Sequence, residues 1–477
     1  MPSSKTLNVK NLAALGAERL AELLIEISSG NPAAKRRLRL ELAGVQSPGE
    51  VAREVRKRLT TIARSRSFVD WQNRRALVDD LETQRRAIAD QVAKADPAEA
   101  LDLTWRFLAV ANPVLDRCDD SSGTVVGVFH AACNDLGEIA KMAKADPKRL
   151  AEQACRALTE GDYGQYDNLI ERLAPALGAI GLEHLKRLVL QLSREPPPKP
   201  DPKDRKVIGW GDGGPLYADQ LSKLRRDGTV RLALEAIADA QGDVDGFIAQ
   251  QSEKARRVPR VAVEIARRLL GAGRAKDAWE AINAVDLDQR ESIPLEWEEA
   301  RLDVMEALGR AQEAQAFRWQ CFERSLSTSH LRAYLKRLPE FDDQEAEHRA
   351  LSFAMTYPEV HQALAFLVSW PASDKAAALV LARSSELDGN IYEILSPAAE
   401  ALADKQPLAA TALLRAMIDF SLTESRSSRY RHAARHLTEC DRLALGISDF
   451  EPLEPHDAYV ARLRAEHGRK SGFWSLT

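Results

Sequence analysis

Cysteine, long apolar runs and an excess of either charge are what this 477-residue chain lacks. Its five cysteines, Cys118, Cys133, Cys155, Cys321 and Cys440, are odd in number, and no C-x-x-C pair occurs. That excludes a disulfide framework and a structural zinc cage, and fits a reducing, cytoplasmic setting. No run approaches the ~18 apolar residues of a membrane span; the stretch Ala363 to Trp370 stops at Pro371. The first ten residues carry no apolar segment of signal-peptide length, so a soluble, unsecreted protein without membrane partners is expected. Glycine (25) and proline (22) are too few for a collagenous or low-complexity chain. With 67 Lys and Arg against 71 Asp and Glu, the net charge of −4 gives no whole-molecule attraction to nucleic acid. Any basic patch must be local.

What the chain has is alanine (73) and leucine (60), a helix-forming composition. Leu20, Leu23, Leu24 and Ile27, then Val51, Val55, Leu59 and Ile62, recur at helical spacing, as do Leu101, Trp105 and Leu108. No period-two pattern competes, so the expected class is all-α. Between Ala151 and Ser193 the pattern breaks at Thr159 to Gly164 and again near Gly178 to Gly181. Five prolines fall between Pro196 and Pro202, and a Gly-rich stretch, Gly209 to Gly214, follows. The expected organisation is an N-terminal helical domain over 1–195, a linker over 196–216 with an extended proline half and a flexible glycine loop, and a second helical domain over 217–477.

In the second half, Gly273-Arg-Ala-Lys-Asp-Ala278 is echoed by Gly309-Arg-Ala-Gln-Glu-Ala314, the glycines 36 residues apart, with a fainter echo at Asp404 to Ala409. A glycine that permits a tight turn, then an alanine that lets the second helix pack closely, is the logic of a helix-turn-helix repeat. The spacing is near that of a tetratricopeptide. The fold expected is therefore a tetratricopeptide-like α-solenoid, in one array or two lobes. Two unrelated hairpins sharing one turn solution would leave the same trace.

Arg426 to Leu437, His456 to Arg464 and His467 to Trp474 together resemble the C-terminal part of a bacterial helical-repeat family of unknown function. They are also similar to the tail that follows the zinc-binding motif in SWIM zinc-finger proteins. Leu15 to Ala21 and Lys35 to Arg39 resemble the same helical-repeat family, so the likeness spans most of the chain. The SWIM cysteine cluster is absent, so the resemblance implies a fold and no zinc-dependent activity.

From Lys35 to Arg86 fourteen Lys and Arg face seven Asp and Glu, so the remainder of the chain is acidic. Arg53, Arg56, Lys57, Arg58, Arg64, Arg66, Arg74 and Arg75, with Phe68 and Trp71 between them, form a candidate nucleic-acid surface: cations for phosphates, rings for bases. The alternative is a solvated face whose arginines pair with Glu54, Asp70, Asp79 and Asp80, with Trp71 packed in core. His432, His436 and Cys440 share one helix face at metal-competent spacing, although Arg429, Arg431 and Arg435 crowd that helix and would repel a dication.

Asp119 to Ser122, with His130 nearby, joins carboxylates to hydroxyls, a composition that helix capping also explains. Tyr163 and Tyr166 offer a partner anchor or a cover for the core. Gly209 to Gly214 lacks the Lys-Ser/Thr of a phosphate-binding loop, and no cofactor is expected. Three functions stay open: a scaffold binding a protein partner, with Trp279, Phe317 or Trp319 on its repeats; a nucleic-acid-associated protein; and an enzyme.

Overall fold

The computed structural model describes residues 6–161, 163–194, 206–211, 214–286, 293–339 and 341–477. Apart from one short hairpin, the described chain is helical, with consecutive helices stacked on one another as in a helical-repeat fold. It divides into two compact units, Met1–Ala255 and Arg256–Thr477.

In the first unit the helices of eight residues or more are α1 (Ala17–Ser28), α2 (Pro32–Gln46), α3 (Pro48–Arg64), α4 (Arg74–Arg86), α5 (Pro97–Ala109), α6 (Thr124–Met142), α7 (Pro147–Glu160), α8 (Leu169–Arg194) and α9 (Ala218–Gln241). Four of them start in the same way. Asn31, Ser47, Asp96 and Asp146 each accept a backbone N–H of the first turn through the side chain, and each is followed by proline. The cap satisfies an orphan donor, and the proline occupies a position where no donor is needed. Each cap contributes about 1 kcal/mol.

The apolar face of α3, Val51, Val55, Leu59 and Ile62, is buried, as its spacing predicts. It shares a core with Leu103 and Phe107 of α5, Phe129 and Leu136 of α6, and Leu173 and Leu177 of α8; the Phe107 and Phe129 ring centroids lie 5.4 Å apart. Helix α1 forms where its leucines predict, yet Leu24 and Ile27 remain exposed. Helix α7 ends at Glu160, and α8 is interrupted at Gly178, whose φ of 55° favours glycine, so both expected breaks are present.

The proline half of the expected linker lies outside the described residues. Its glycine half is a hairpin rather than a flexible loop: β1 (Val207–Gly211) pairs antiparallel with β2 (Gly214–Tyr217). Gly214, the first residue of β2, has a φ of 109°, a backbone conformation that favours glycine. Beyond it α9 packs along α8 and buries Leu234 and Ile237 in the core of the first unit.

The second unit contains α10 (Pro259–Gly271), α11 (Ala275–Asn283), α12 (Leu295–Ala307), α13 (Ala311–Ser325), α14 (Thr328–Leu335), α15 (Asp342–Met355), α16 (Val360–Ser369), α17 (Ser373–Ala382), α18 (Tyr392–Leu402), α19 (Pro407–Thr423), α20 (Tyr430–Ala444) and α21 (His456–His467). The two echoed stretches form the same turn twice. Gly273 and Gly309 have φ of 74° and 73°. Arg274 N–H donates to Leu269 O at 2.8 Å, and Arg310 N–H to Met305 O at 2.9 Å. Ala278 and Ala314, five residues past each glycine, are fully buried. Further along, the core runs from Phe322 through Leu364, Leu379, Leu413 and Ile418 to Tyr459 and Phe473.

No described helix is long and apolar enough to cross a membrane.

Candidate functional site

The basic segment spans α2, α3, the loop 65–73 and α4. Its cations divide into two sets. Arg56 pairs with Glu99 and lies 3.8 Å from Asp102. Arg58 pairs with Asp80, a carboxylate that Arg36 also approaches at 3.6 Å, and Arg53 pairs with Glu50 at 3.1 Å. Arg74 donates to Asp119 O at 3.0 Å. Arg36, Arg56, Arg58 and Arg74 thereby tie together separate segments of their own unit, whereas the Arg53 pair lies within α3.

Lys57, Arg64, Arg66 and Arg75 are exposed and meet no carboxylate within ion-pair distance among the described residues. The loop between α3 and α4 is pinned at two points: Arg117 Nη1 donates to Ser67 O at 3.0 Å, and Val69 N–H to Arg117 O at 2.8 Å. So tethered, it holds Phe68 and Trp71 out into solvent at 68% and 66% exposure. Trp71 is therefore no part of a core, because the bridge turns its stretch of chain away from one.

Asp120 accepts the N–H groups of Val125 and Val126 at 2.9 and 2.8 Å and caps α6. His130 bonds instead to Gly164 O. Tyr163 gives its hydroxyl to Asp116, and burial pushes the Tyr166 phenol up.

The second unit brings together a group that no sequence spacing announces. Glu298 of α12, Cys321 of α13 and His330 of α14 are all buried, and one donor atom from each lies within 4.8 Å of the others. His330 Nε2 is 2.7 Å from Glu298 Oε2, and Arg324 pairs with the other carboxylate oxygen. Burial pushes the Cys321 thiol up to about 11 and the His330 imidazole down. A thiol, an imidazole and a carboxylate are the parts of a cysteine nucleophile, but Cys321 is 0% exposed and held as the neutral thiol. As a metal centre the group offers three donors, with the Arg324 guanidinium already satisfying the carboxylate. What the arrangement does physically is tie three consecutive helices through one buried carboxylate.

Another face of α13 is open. Ala311, Gln312, Gln315, Ala316, Trp319 and Gln320, with Tyr334 of α14 and Arg349 of α15, line a groove of about 620 Å³. The Arg349 guanidinium lies 3.7 Å from the Trp319 ring centroid, and the Trp319 and Tyr334 rings are 5.2 Å apart. Trp279 and Phe317 are half-buried around Arg301, whose guanidinium carbon is 5.3 and 4.9 Å from their centroids, so both rings serve packing. His432 and His436 line a smaller cavity with Arg429, whereas Cys440 is fully buried in the core and its thiol is pushed up to about 12 by that burial.

Over residues 2–476 the chain matches a protein family described as a family of unknown function (DUF6880). No curated protein and no solved structure matches it.

Proposed function

We propose, for a chain that belongs to this family of unknown function (DUF6880), that it is a helical-repeat scaffold whose groove on α13, α14 and α15 receives an extended segment of a protein partner. The groove carries the reading. Gln312 and Gln320 each offer a donor and an acceptor, the pair of functions that a peptide group presents, so they suit a backbone whatever its side chains. Ala311 and Ala316 leave room for that backbone to approach, and the Trp319 ring under Arg349 forms a flat, partly apolar floor. Stacked helices presenting such grooves are a common platform for polypeptide recognition.

A tetratricopeptide-like assembly, in two lobes and at home in a bacterial cytoplasm, is part of the proposal. The duplicated glycine turns at Gly273 and Gly309 and their buried alanines support the repeat.

The test is a photo-reactive residue at Gln320 in the full-length chain, irradiated in its host's lysate, alongside Ala316→Arg. A discrete adduct absent from the Ala316→Arg protein is expected, with both proteins melting at the wild-type temperature. No adduct, or one indifferent to Ala316→Arg, would refute the groove.

A second reading has its own observation: Phe68 and Trp71 stand exposed beside Arg64, Arg66 and Arg75. Stacking rings among free cations suit single-stranded nucleic acid. A salt-dependent Kd for a mixed-sequence oligonucleotide, weakened by Arg66→Gln with Arg75→Gln, is what that reading requires.

A further inference from the structure

The cavity that contains His432 and His436 is distinct from the groove and lies among α18, α19 and α20. It has a volume of about 230 Å³, less than the ~300–1,000 Å³ of pockets for drug-sized ligands, so it suits something small. Arg429, His432, His436, Ser396, Ser421 and Ser428 face it, and no carboxylate does. That is an unusual wall in a chain with more acidic than basic residues.

Its cationic character is held in place. Arg429 Nη1 donates to Asn390 Oδ1 at 3.0 Å, and its guanidinium carbon sits 4.8 Å from the Tyr392 ring centroid and 5.7 Å from that of Phe420. Asn390 is neutral, and no described carboxylate lies within ion-pair distance of Arg429, so its positive charge is positioned without being cancelled. His436 Nδ1 is shut off from solvent and has no hydrogen-bond partner.

The first turn of α20, entered through Ser428 and Arg429, adds the positive end of a fifteen-residue helix. Ser421 spends its hydroxyl proton on Met417 O at 2.7 Å, which leaves Ser396 and Ser428 as the serine hydroxyl donors. On the remaining side Tyr392 and Met417 give an apolar wall. Gly389 completes the shell: a Cβ there would fall 2.0 Å from Ala416 O, so only glycine lets this turn close against α19.

We infer that this cavity binds a small phosphomonoester, its phosphoryl group held by Arg429, His432, His436 and the Ser396 and Ser428 hydroxyls and its organic part against Tyr392 and Met417. A phosphomonoester carries close to two negative charges at neutral pH and three strong acceptor oxygens, matching a wall of several donors and no carboxylate.

The experiment is calorimetric titration of the full-length chain with phenyl phosphate, inorganic phosphate, phenol and a phosphoserine peptide. Phenyl phosphate should bind at least tenfold more tightly than inorganic phosphate, and phenol should not bind. Arg429→Gln and His432→Gln should each weaken phenyl phosphate tenfold or more. His432 is exposed, so His432→Gln should melt with the wild type and keep the test valid if Arg429→Gln fails to fold. Absence of binding at millimolar phenyl phosphate, or affinity unchanged in His432→Gln, would overturn the assignment. Phosphate binding as tightly as phenyl phosphate, or the phosphopeptide binding more tightly than either, would overturn the small monoester as ligand.

Discussion

Arginine is held in two ways in this chain, by carboxylates in both units and by aromatic rings in the second. In the first, Arg56, Arg58 and Arg85 reach carboxylates on other helices: Glu99, Asp80 and Asp135. In the second, Arg301 lies within 4.9 to 5.3 Å of three ring centroids, and Arg415 is 4.3 Å from that of Tyr459. A planar, weakly hydrated cation can be bound either way. The carboxylate route fixes direction and position through hydrogen bonds; the ring route tolerates burial without a counter-charge. Burial pushes the Arg301 and Arg415 guanidinium groups down, and the Arg301 Nε and the Arg415 Nε and Nη2 are buried without partners, as are the Nε atoms of Arg36, Arg117 and Arg318. The second unit uses the carboxylate route as well: Arg318 pairs with Glu306, Arg337 lies 3.0 Å from that same carboxylate, Arg462 lies 3.2 Å from Asp419, and at Glu298 a buried carboxylate holds Arg324 and His330 together.

The Glu298 site should give the largest effect. Glu298→Ala strands His330 at 3% exposure and should cost about 3 kcal/mol, read as a fall in the urea midpoint at unchanged slope. Next, Arg58→Met leaves Asp80 buried with Arg36 at 3.6 Å and the Gln84 amide at 3.4 Å and should cost about 1–2 kcal/mol. The same substitution at Arg301, where rings replace carboxylates, should stay within about 1 kcal/mol of wild type and can raise stability, since it removes an unsatisfied donor. If Arg301→Met costs as much as Arg58→Met, the distinction between the two kinds of site collapses.

Acid should separate the units further. His330, His361 and His436, all in the second unit, are pushed below the ordinary value of 6.5, in each case chiefly by burial. A base depressed in the folded state binds more protons when unfolded, so its contribution is complete above about pH 6.5 and is lost as the pH falls through the folded value. Hydrogen exchange at pH 7.5 and 5.5 should show protection around these histidines falling in acid. The smallest effect is that of salt. Raising it to 1 M should cost the exposed Arg53–Glu50 pair no more than about 0.5 kcal/mol and leave the ring-bound arginines untouched.

Much of the helical architecture is legible from the sequence alone. The spacing of Val51 to Ile62 names the buried face of α3, and the Gly273 and Gly309 echoes name two turns that are alike in backbone geometry. A further signal lies in the text: Asn31-Pro32, Ser47-Pro48, Asp96-Pro97 and Asp146-Pro147 each mark a helix start. The hairpin at 207–217 is less visible, since glycine and proline occupy its pairs and leave no alternation to read. Glu298, Cys321 and His330 lie on three helices, and only their packing register brings them together. Residue type alone places Trp71 in a core as readily as on a surface; its exposure goes with the Val69 pairing with Arg117, which periodicity does not encode.

The most direct test is capture by the full-length chain from its host's lysate at physiological salt, divided into nuclease-treated and untreated halves. A discrete protein that survives nuclease and is lost with Ala316→Arg is expected. Recovery that disappears with nuclease, persists in Ala316→Arg and fails in a chain carrying Arg64→Gln, Arg66→Gln and Arg75→Gln would contradict it and place function on the ring-bearing loop of the first unit.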